Sequence, residues 1–221
     1  MDVCRTEVLF DLSHTLAAPL FEGKERPWEV LDELKEFIEK LGRSLPSEEY
    51  GQPVPGVWVA KSAQVAPSAL LTGPCIIGPE AEVRHCAFIR GSALVGAGAV
   101  VGNSVELKNC ILFDGAQVPH FNYVGDSILG YKAHMGAGAV TSNLKSDKSL
   151  VCIRQDEEIL VTGRKKLGAL VGDEAEVGCN SVLCPGSVLG RRCQIYPTSC
   201  VRGVVAPNHI YKDAQHIVPR T

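Results

Sequence analysis

The chain has 221 residues and a formal net charge of -3, with 22 basic and 25 acidic side chains; it is long enough to bury one core, with or without an appendage, and nothing in its charge points to nucleic acid as a partner. Its nine cysteines, Cys4, Cys75, Cys86, Cys110, Cys152, Cys179, Cys184, Cys193 and Cys200, form no CxxC pair and lie in apolar stretches, the usage of reduced, mostly buried thiols. The opening MDVCRTEVLFDLSH is acidic where a signal peptide has a basic flank, and no apolar stretch reaches membrane-spanning length, so a cytoplasmic protein with no membrane partner is expected.

Residues 1–50 read as an N-terminal helical cap. Within them the segment from Pro27 and Trp28 to Gly42 has an apolar stripe of Trp28, Leu31, Leu34, Phe37, Ile38 and Leu41, with Gly42 just past its end, the pattern of an amphipathic helix. Such a helix is expected to cover the open end of the structure that follows, where strand groups would otherwise be unpaired.

Residues 51–206 repeat. Stepping by six from Val59 gives Val65, Leu71, Ile77, Val83, Ile89, Val95, Val101, Leu107 and Phe113, all large and apolar. Four positions after each stands a small residue (Ala63, Ala69, Cys75, Ala81, Ala87, Ala93, Ala99), then Val105 and Ile111, before the pattern fails at Gln117. The ladder resumes at Val171, Val177, Leu183, Leu189, Ile195 and Val201. A helix would repeat every 3.6 residues and a half-buried antiparallel strand every two. A step of six suits strands of about five residues joined by corners, three of which close a triangular coil stacked about 4.8 Å above the last. The expected fold is therefore all-β, a parallel β-helix of hexapeptide repeats. Parallel crossovers are normally right-handed, and the period does not override that.

The ladder breaks twice. After Phe113 the register slips, because Val118, Val124 and Leu129 arrive earlier than steps of six would place them, and an irregular turn carries PHFNY. Residues 143–166 then leave the ladder; LVCIRQDEEILVTGRKK reads as two short strands around a polar QDEE turn, a protruding hairpin. Residues 207–221 read as a C-terminal tail.

Chemistry is sought where the walls stop repeating. Arg90 and Lys108 stand three rungs apart, one full coil, so they should stack; like charges on adjacent coils imply an anion between them, or simply two solvated corner residues. His120 beside Pro119 sits in the slip, placed either to act as a base near neutral pH or as a hydrogen-bonded loop histidine.

The segment GNSVELKNCILFDGAQVPHFNYVGDSILGYKAHMGAGAVTSN and the later GRKKLGALVGD resemble the acetyltransferase domain of bifunctional sugar-1-phosphate nucleotidyltransferase/amino-sugar-1-phosphate N-acetyltransferases, especially the archaeal ones. The likeness covers roughly residues 50–206 and is most specific at PHFNYVGDS and GAGAVTSN. It implies a left-handed coil, acetyl-CoA as co-substrate, no metal for the acetyl transfer, and a homotrimer. It implies His120 as general base toward the amine of an amino-sugar phosphate, with Arg90, Lys108, Tyr123 and Asn143 contacting that substrate. The family's next lysine is matched by Lys148 counted forward from Asn143, or by Lys166 counted back from Gly172. Ala137 and Cys179 match positions at which the family approaches coenzyme A, Cys179 replacing what is often a serine. Backbone N–H groups around Gly136 and Gly138 are expected to serve as oxyanion donors. His120 stands two rungs from Lys108 rather than three, so the two should occupy different faces of one prism and a neighbouring subunit is expected to complete the site.

Two departures bear on function. His134 stands where the family usually has asparagine, which puts the acceptor sugar in question. Fifty residues are too few for a doubly wound nucleotide-binding domain, and no Gly-rich phosphate loop precedes the coil, so nucleotidyl transfer is not expected of this chain. Two other classes compete: a zinc-dependent carbonic anhydrase of the same coil, for which His85, His120 and His134 lack the close ligand spacing, and a non-catalytic scaffold or accessory subunit for a separate nucleotidyltransferase. Glucosamine-1-phosphate, galactosamine-1-phosphate and a nucleotide-linked amino sugar remain equal as acceptors.

Overall fold

The computed structural model describes residues 2–155 and 157–220; Asp156 of the expected QDEE turn lies outside the described residues. From Val57 onward the chain winds as a β-solenoid whose short parallel strands fall into three walls. On the first wall Val57–Ala60, Cys75–Ile77 and Ala93–Val95 stack in register, Cys75 over Val57 and Ala93 over Cys75, so each of these coils is three full rungs of the ladder. Each wall sends one small and one large side chain inward, as in Cys75 and Ile77, Ala81 and Val83, and Ala87 and Ile89, and these fill the prism. The small residue is needed where adjacent walls converge. Polar side chains on the inside are satisfied by the walls themselves. Asn122 donates to the Gly136 and Ala139 carbonyls at 2.8 and 2.9 Å, and Ser127 donates to Gly125 O at 2.7 Å while accepting from Ala169 N–H at 3.0 Å.

The slip comes earlier than the ladder of sixes suggests. Ile89 is followed inward by Ala93, but Leu107 is followed by Cys110, which pairs with Ala93 below and Ser127 above. The corner between the third and first walls has thus lost one residue, and it loses one again between Val124 and Ser127. The coils from Ala93 to Cys110 and from Cys110 to Ser127 are each shorter by one residue than the full coil from Cys75 to Ala93. The strands Glu106–Leu112 and Tyr123–Leu129 run straight through these tightened corners. Cys110 and Leu112 consequently occupy the inward positions that the period assigns to Ile111 and Phe113. Ile111 and Phe113 point outward into a second cluster.

That second cluster corrects the placement of the N-terminal segment. The first wall carries an outward apolar column, Trp58, Ile76, Leu94, Ile111, Ile128, Leu170 and Val188, and the residues packed on it are Leu9, Phe10, Phe21, Trp28, Leu31, Leu34 and Ile38. The segment therefore lies along the side of the prism rather than over its end, because the larger unsatisfied apolar surface is on the side. Phe113 is its anchor, with ring centroids 5.2 Å from Phe10 and 6.1 Å from Phe21. Farther along, the buried Asp173 carboxylate accepts from Asp11 N–H at 2.7 Å. The expected helix is a 3-10 turn, Pro27–Asp32, followed by an α-helix, Leu34–Ser44. Gly42 lies inside this helix rather than beyond it, because any side chain there would meet the Trp58 ring. At the mouth of the first coil, Val59, Val65 and Leu71 are only partly buried.

Ile128 pairs with Leu170 on the next coil of the first wall, so the chain between them holds one coil and an excursion from it. The excursion contains the antiparallel strands Cys152–Gln155 and Glu158–Val161. Val151 and Ile153 join the second cluster, and Arg164 meets Asp32 at 2.6 Å, so the base of the hairpin is fastened to the N-terminal segment. Residues 207–221, read as a tail, include a further hairpin of His209–Asp213 and His216–Pro219. Tyr211 turns inward above Ile195, and its hydroxyl donates to Cys200 O at 3.1 Å. No helix among the described residues is long and apolar enough to cross a membrane.

Truncating Phe113 to alanine should lower unfolding free energy by about 3–5 kcal/mol, the scale for deleting a buried phenylalanine, as read by urea denaturation. A change of well under about 1 kcal/mol would mean that this ring does not anchor the N-terminal segment.

Candidate active site

His120 ends the strand Gln117–His120 on the second wall, where the chain turns toward the third. Its backbone is held on both sides. The N–H donates to Asn122 Oδ1 at 3.1 Å, and the carbonyl accepts from Gly138 N–H at 3.0 Å. Beneath it, a Cβ on Gly102 would fall 1.5 Å from the Pro119 carbonyl oxygen, so only glycine permits this approach of the two coils. Phe121 then adopts a φ of 53° to turn the corner, leaving its ring exposed. The His120 imidazole is exposed and has no hydrogen-bond partner among the described residues.

The same corner continues upward through Ala137 and Cys179, with Asn180 N–H donating to Ala137 O at 2.8 Å. His120, Ala137 and Cys179 thus lie on one edge of the prism, on successive coils. The N–H groups expected to serve as oxyanion donors are already engaged: Gly136 donates to Val177 O at 2.7 Å and Gly138 to His120 O. Stacking of the coils uses them. The N–H groups of Ala137 and Cys179 have no acceptor among the described residues, and these are the donors the edge offers.

The basic residues gather at the opposite edge of the third wall, Arg90 in the full-length corner and Lys108 in the first tightened corner above it. Arg90 and Lys108 stack on adjacent coils, but each has a carboxylate of its own: Arg90 meets Glu106 at 2.6 Å, and Lys108 meets Asp126 at 3.1 Å. Each of the two like charges thus has a carboxylate of the protein itself beside it. Asp126, which sequence reasoning missed, is 2% exposed. It also accepts from Asn109 Nδ2 at 2.8 Å and from Asn143 Nδ2 at 2.6 Å. Asn143 donates in addition to the Tyr123 hydroxyl at 3.1 Å. Burial, with the nearby Asp126 charge, pushes the Tyr123 phenol above its ordinary value, so it stands as a neutral hydroxyl near pH 7. Gly125 leaves the room that the Tyr123 hydroxyl and Asn143 occupy, since a Cβ there would lie 2.3 and 2.8 Å from them.

The two candidate lysines separate. Leu144 bridges Lys166, and Leu167 N–H donates to Asn143 O at 3.0 Å, which places the Lys166 backbone beside Asn143 at the neck of the excursion. Lys148 lies out in a turn, its N–H bonded to Lys145 O. His134 belongs to neither edge: it faces outward from the second wall and pairs with Glu176 at 2.8 Å. His85 is bonded to Ser68 at 2.6 Å. Among the described residues, no three His, Cys, Asp or Glu side chains are grouped so as to hold a metal ion.

Residues 71–165 match the model of the GMPPB C-terminal domain family. A bifunctional sugar-1-phosphate nucleotidylyltransferase/acetyltransferase from Sulfurisphaera tokodaii is 32% identical over 102 residues, 46% of this chain and 25% of that protein. The bifunctional protein GlmU of Methanocaldococcus jannaschii is 31% identical over 191 residues, 85% of this chain and 46% of that protein. The chain thus spans at most about half the length of these relatives. The acetyltransferase domain of PglB from Neisseria gonorrhoeae is similar at 14% identity over 91% of this chain and 76% of that one, with a TM-score of 0.39, a likeness too distant to carry function. The relationship lies in sequence, and by it this chain is a homologue of the C-terminal part of the GlmU-type bifunctional sugar-1-phosphate nucleotidyltransferase/acetyltransferases.

Proposed function

We propose that the chain is an acetyl-CoA-dependent N-acetyltransferase acting on an amino-sugar phosphate such as glucosamine-1-phosphate or galactosamine-1-phosphate. The observation that carries this reading is the His120 edge: an imidazole without a hydrogen-bond partner among the described residues, below the open N–H groups of Ala137 and Cys179. The amine nitrogen attacks the thioester carbonyl, the C–N bond forms and the C–S bond breaks. His120 takes the amine proton and returns it to the departing thiolate, while edge N–H groups stabilise the carbonyl oxygen as charge develops. Lys108, Asn143 and Tyr123, with Arg90 and Lys166 beside them, hold the sugar phosphate, and Lys166 is favoured over Lys148 because it lies next to Asn143.

Within one chain the His120 edge and the Lys108 corner lie on opposite sides of the third wall, so a homotrimer assembles the site by bringing one subunit's edge to its neighbour's corner. The outward column of the third wall supports such an interface: it runs Leu70, Phe88, Glu106, Tyr123, Val140 and Val182, apolar except for Glu106, which is paired with Arg90, and Leu70 is 59% exposed and Val182 37%. Apolar columns of this kind on a surface mark contacts with another chain.

Thiol release from acetyl-CoA across a panel of amino-sugar phosphates tests the activity. His120→Ala should reduce turnover by about 10²-fold or more, the scale for losing a general base; equal turnover would remove the assigned role, and no turnover by the parent on any acceptor would favour a scaffold. Co-expressing His120→Ala with Lys108→Ala should restore activity at up to about a quarter of the sites, because mixed assembly reunites an intact edge with an intact corner. Activity no higher than that of either variant alone would place the site inside one chain.

A further inference from the structure

We infer that Asp126 is a positioning residue that fixes which face of Asn143 and which direction of Lys108 are offered to the ligand; the inference rests on the reading of this corner as the sugar-phosphate site. A carboxylate that is 2% exposed is tolerated only where its oxygens are filled. Here three side chains from the coils around it fill them. Oδ1 accepts from Asn109 at 2.8 Å and from Lys108 at 3.1 Å, while Oδ2 accepts from Asn143 at 2.6 Å and from Lys108 at 3.3 Å. The backbone commits to this arrangement, since Asp126 and Asn109 both adopt left-handed φ, 48° and 50°, and the Asp126 carbonyl accepts from Gly168 N–H where the excursion rejoins the coil.

The consequence is a fixed polarity. Asn143 donates through Nδ2 to both Asp126 and Tyr123. A reversed amide would set its oxygen against the carboxylate, so Asp126 decides the orientation and leaves Asn143 Oδ1 as the outward group. Lys108 gives Asp126 part of its donor capacity and retains the rest for an anion. The corner therefore presents an acceptor beside a cation. It fits a ligand with a hydroxyl or amine donor next to an anionic group, and disfavours one with acceptors at both places. Asp126 touches neither ligand nor reacting atoms in this scheme and acts through its two neighbours.

Asp126→Asn tests the idea: the new carboxamide can donate to Asn143, so that amide is no longer held one way round, and Lys108 loses its counter-charge. The expected result is a rise of about tenfold in KM for the amino-sugar phosphate, the scale of one charged hydrogen bond, with kcat and KM for acetyl-CoA changed by less than about threefold. In a Lys108→Met, Asn143→Ala background the same substitution should add little, as expected when residues act as one unit. A second readout needs no activity: reductive methylation of Lys108, followed by peptide mass mapping, should run at least about threefold faster in Asp126→Asn than in the parent. Asp126→Ser, which leaves room for water, should show the same direction if the asparagine variant folds poorly. Unchanged Lys108 methylation, or equal loss in kcat and in both KM values, overturns the inference. A parent that turns over no acceptor but shows faster Lys108 methylation in the variant rejects the enzymatic reading and keeps the tether.

Discussion

The vertical register between coils is the constraint on which the rest of this structure depends. Each coil must return the chain over its predecessor so that N–H meets C=O, and a change in coil length can be absorbed only at a corner. Here both lost residues fall at the same corner, between Leu107 and Cys110 and between Val124 and Ser127. The shortening carries Lys108, Asn109 and Asp126 into close contact while leaving the inward side chains in line. The polar cluster is thus a product of register rather than an ornament on a finished wall, and the strain of the left-handed residues there is held by the hydrogen bonds of the coils above and below.

Most of the architecture was legible because the inward ladder has a period that neither helices nor ordinary strands share. What the ladder could not reveal follows from the same apolar residues. A one-residue deletion between rungs leaves Leu112 and Phe113 both large and apolar, so counting by six selects Phe113 although Leu112 is the inward residue. The outward column of Trp58, Ile76 and Leu94 was present at intervals of one coil, yet beside the inward residues it reads as part of a continuous apolar strand. It is the signal that would have placed the N-terminal segment on the side of the prism. Of the candidate site, Arg90 and Lys108 stood out by their rung spacing and His120 by the slip, and Tyr123 and Asn143 by motif likeness. Asp126 did not, because an aspartate after glycine reads as an ordinary turn. The choice of Lys166 over Lys148 depends on the bridge from Leu144, a non-local pairing that counting along the chain does not supply.

The charge pattern at the basic corner changes how recognition must work. Two stacked cations without counter-charges would draw any anion over a distance. With Glu106 and Asp126 in place, the Arg90 and Lys108 charges are matched one for one, and the long-range pull is weak. In the proposed site recognition then depends on short-range geometry, on the phosphate of the proposed substrate reaching donors that the carboxylates have oriented. Such a site discriminates by the placement of polar groups, where a mismatch leaves a buried partner unsatisfied.

The prism is rigid across the third wall, so the two halves of the proposed site cannot approach one another by side-chain motion alone. The wall is a set of strands hydrogen-bonded above and below, with Leu107 and Val124 filling the interior behind it. A flexible lid would be the usual way to join separated groups, but the excursion that begins at Asn143 is fastened at its neck by Leu144 and Lys166, and near its base by Arg164 to Asp32. Rigid bodies meet by docking. In the proposed acyl transfer the edge bearing His120 is presented by a second copy to the corner bearing Lys108, and the partly exposed column of the third wall, apolar except for Glu106, gives that copy a surface to bury. The regular rungs, which carry no chemistry of their own, thereby act on function by holding edge and corner at fixed heights along the same axis.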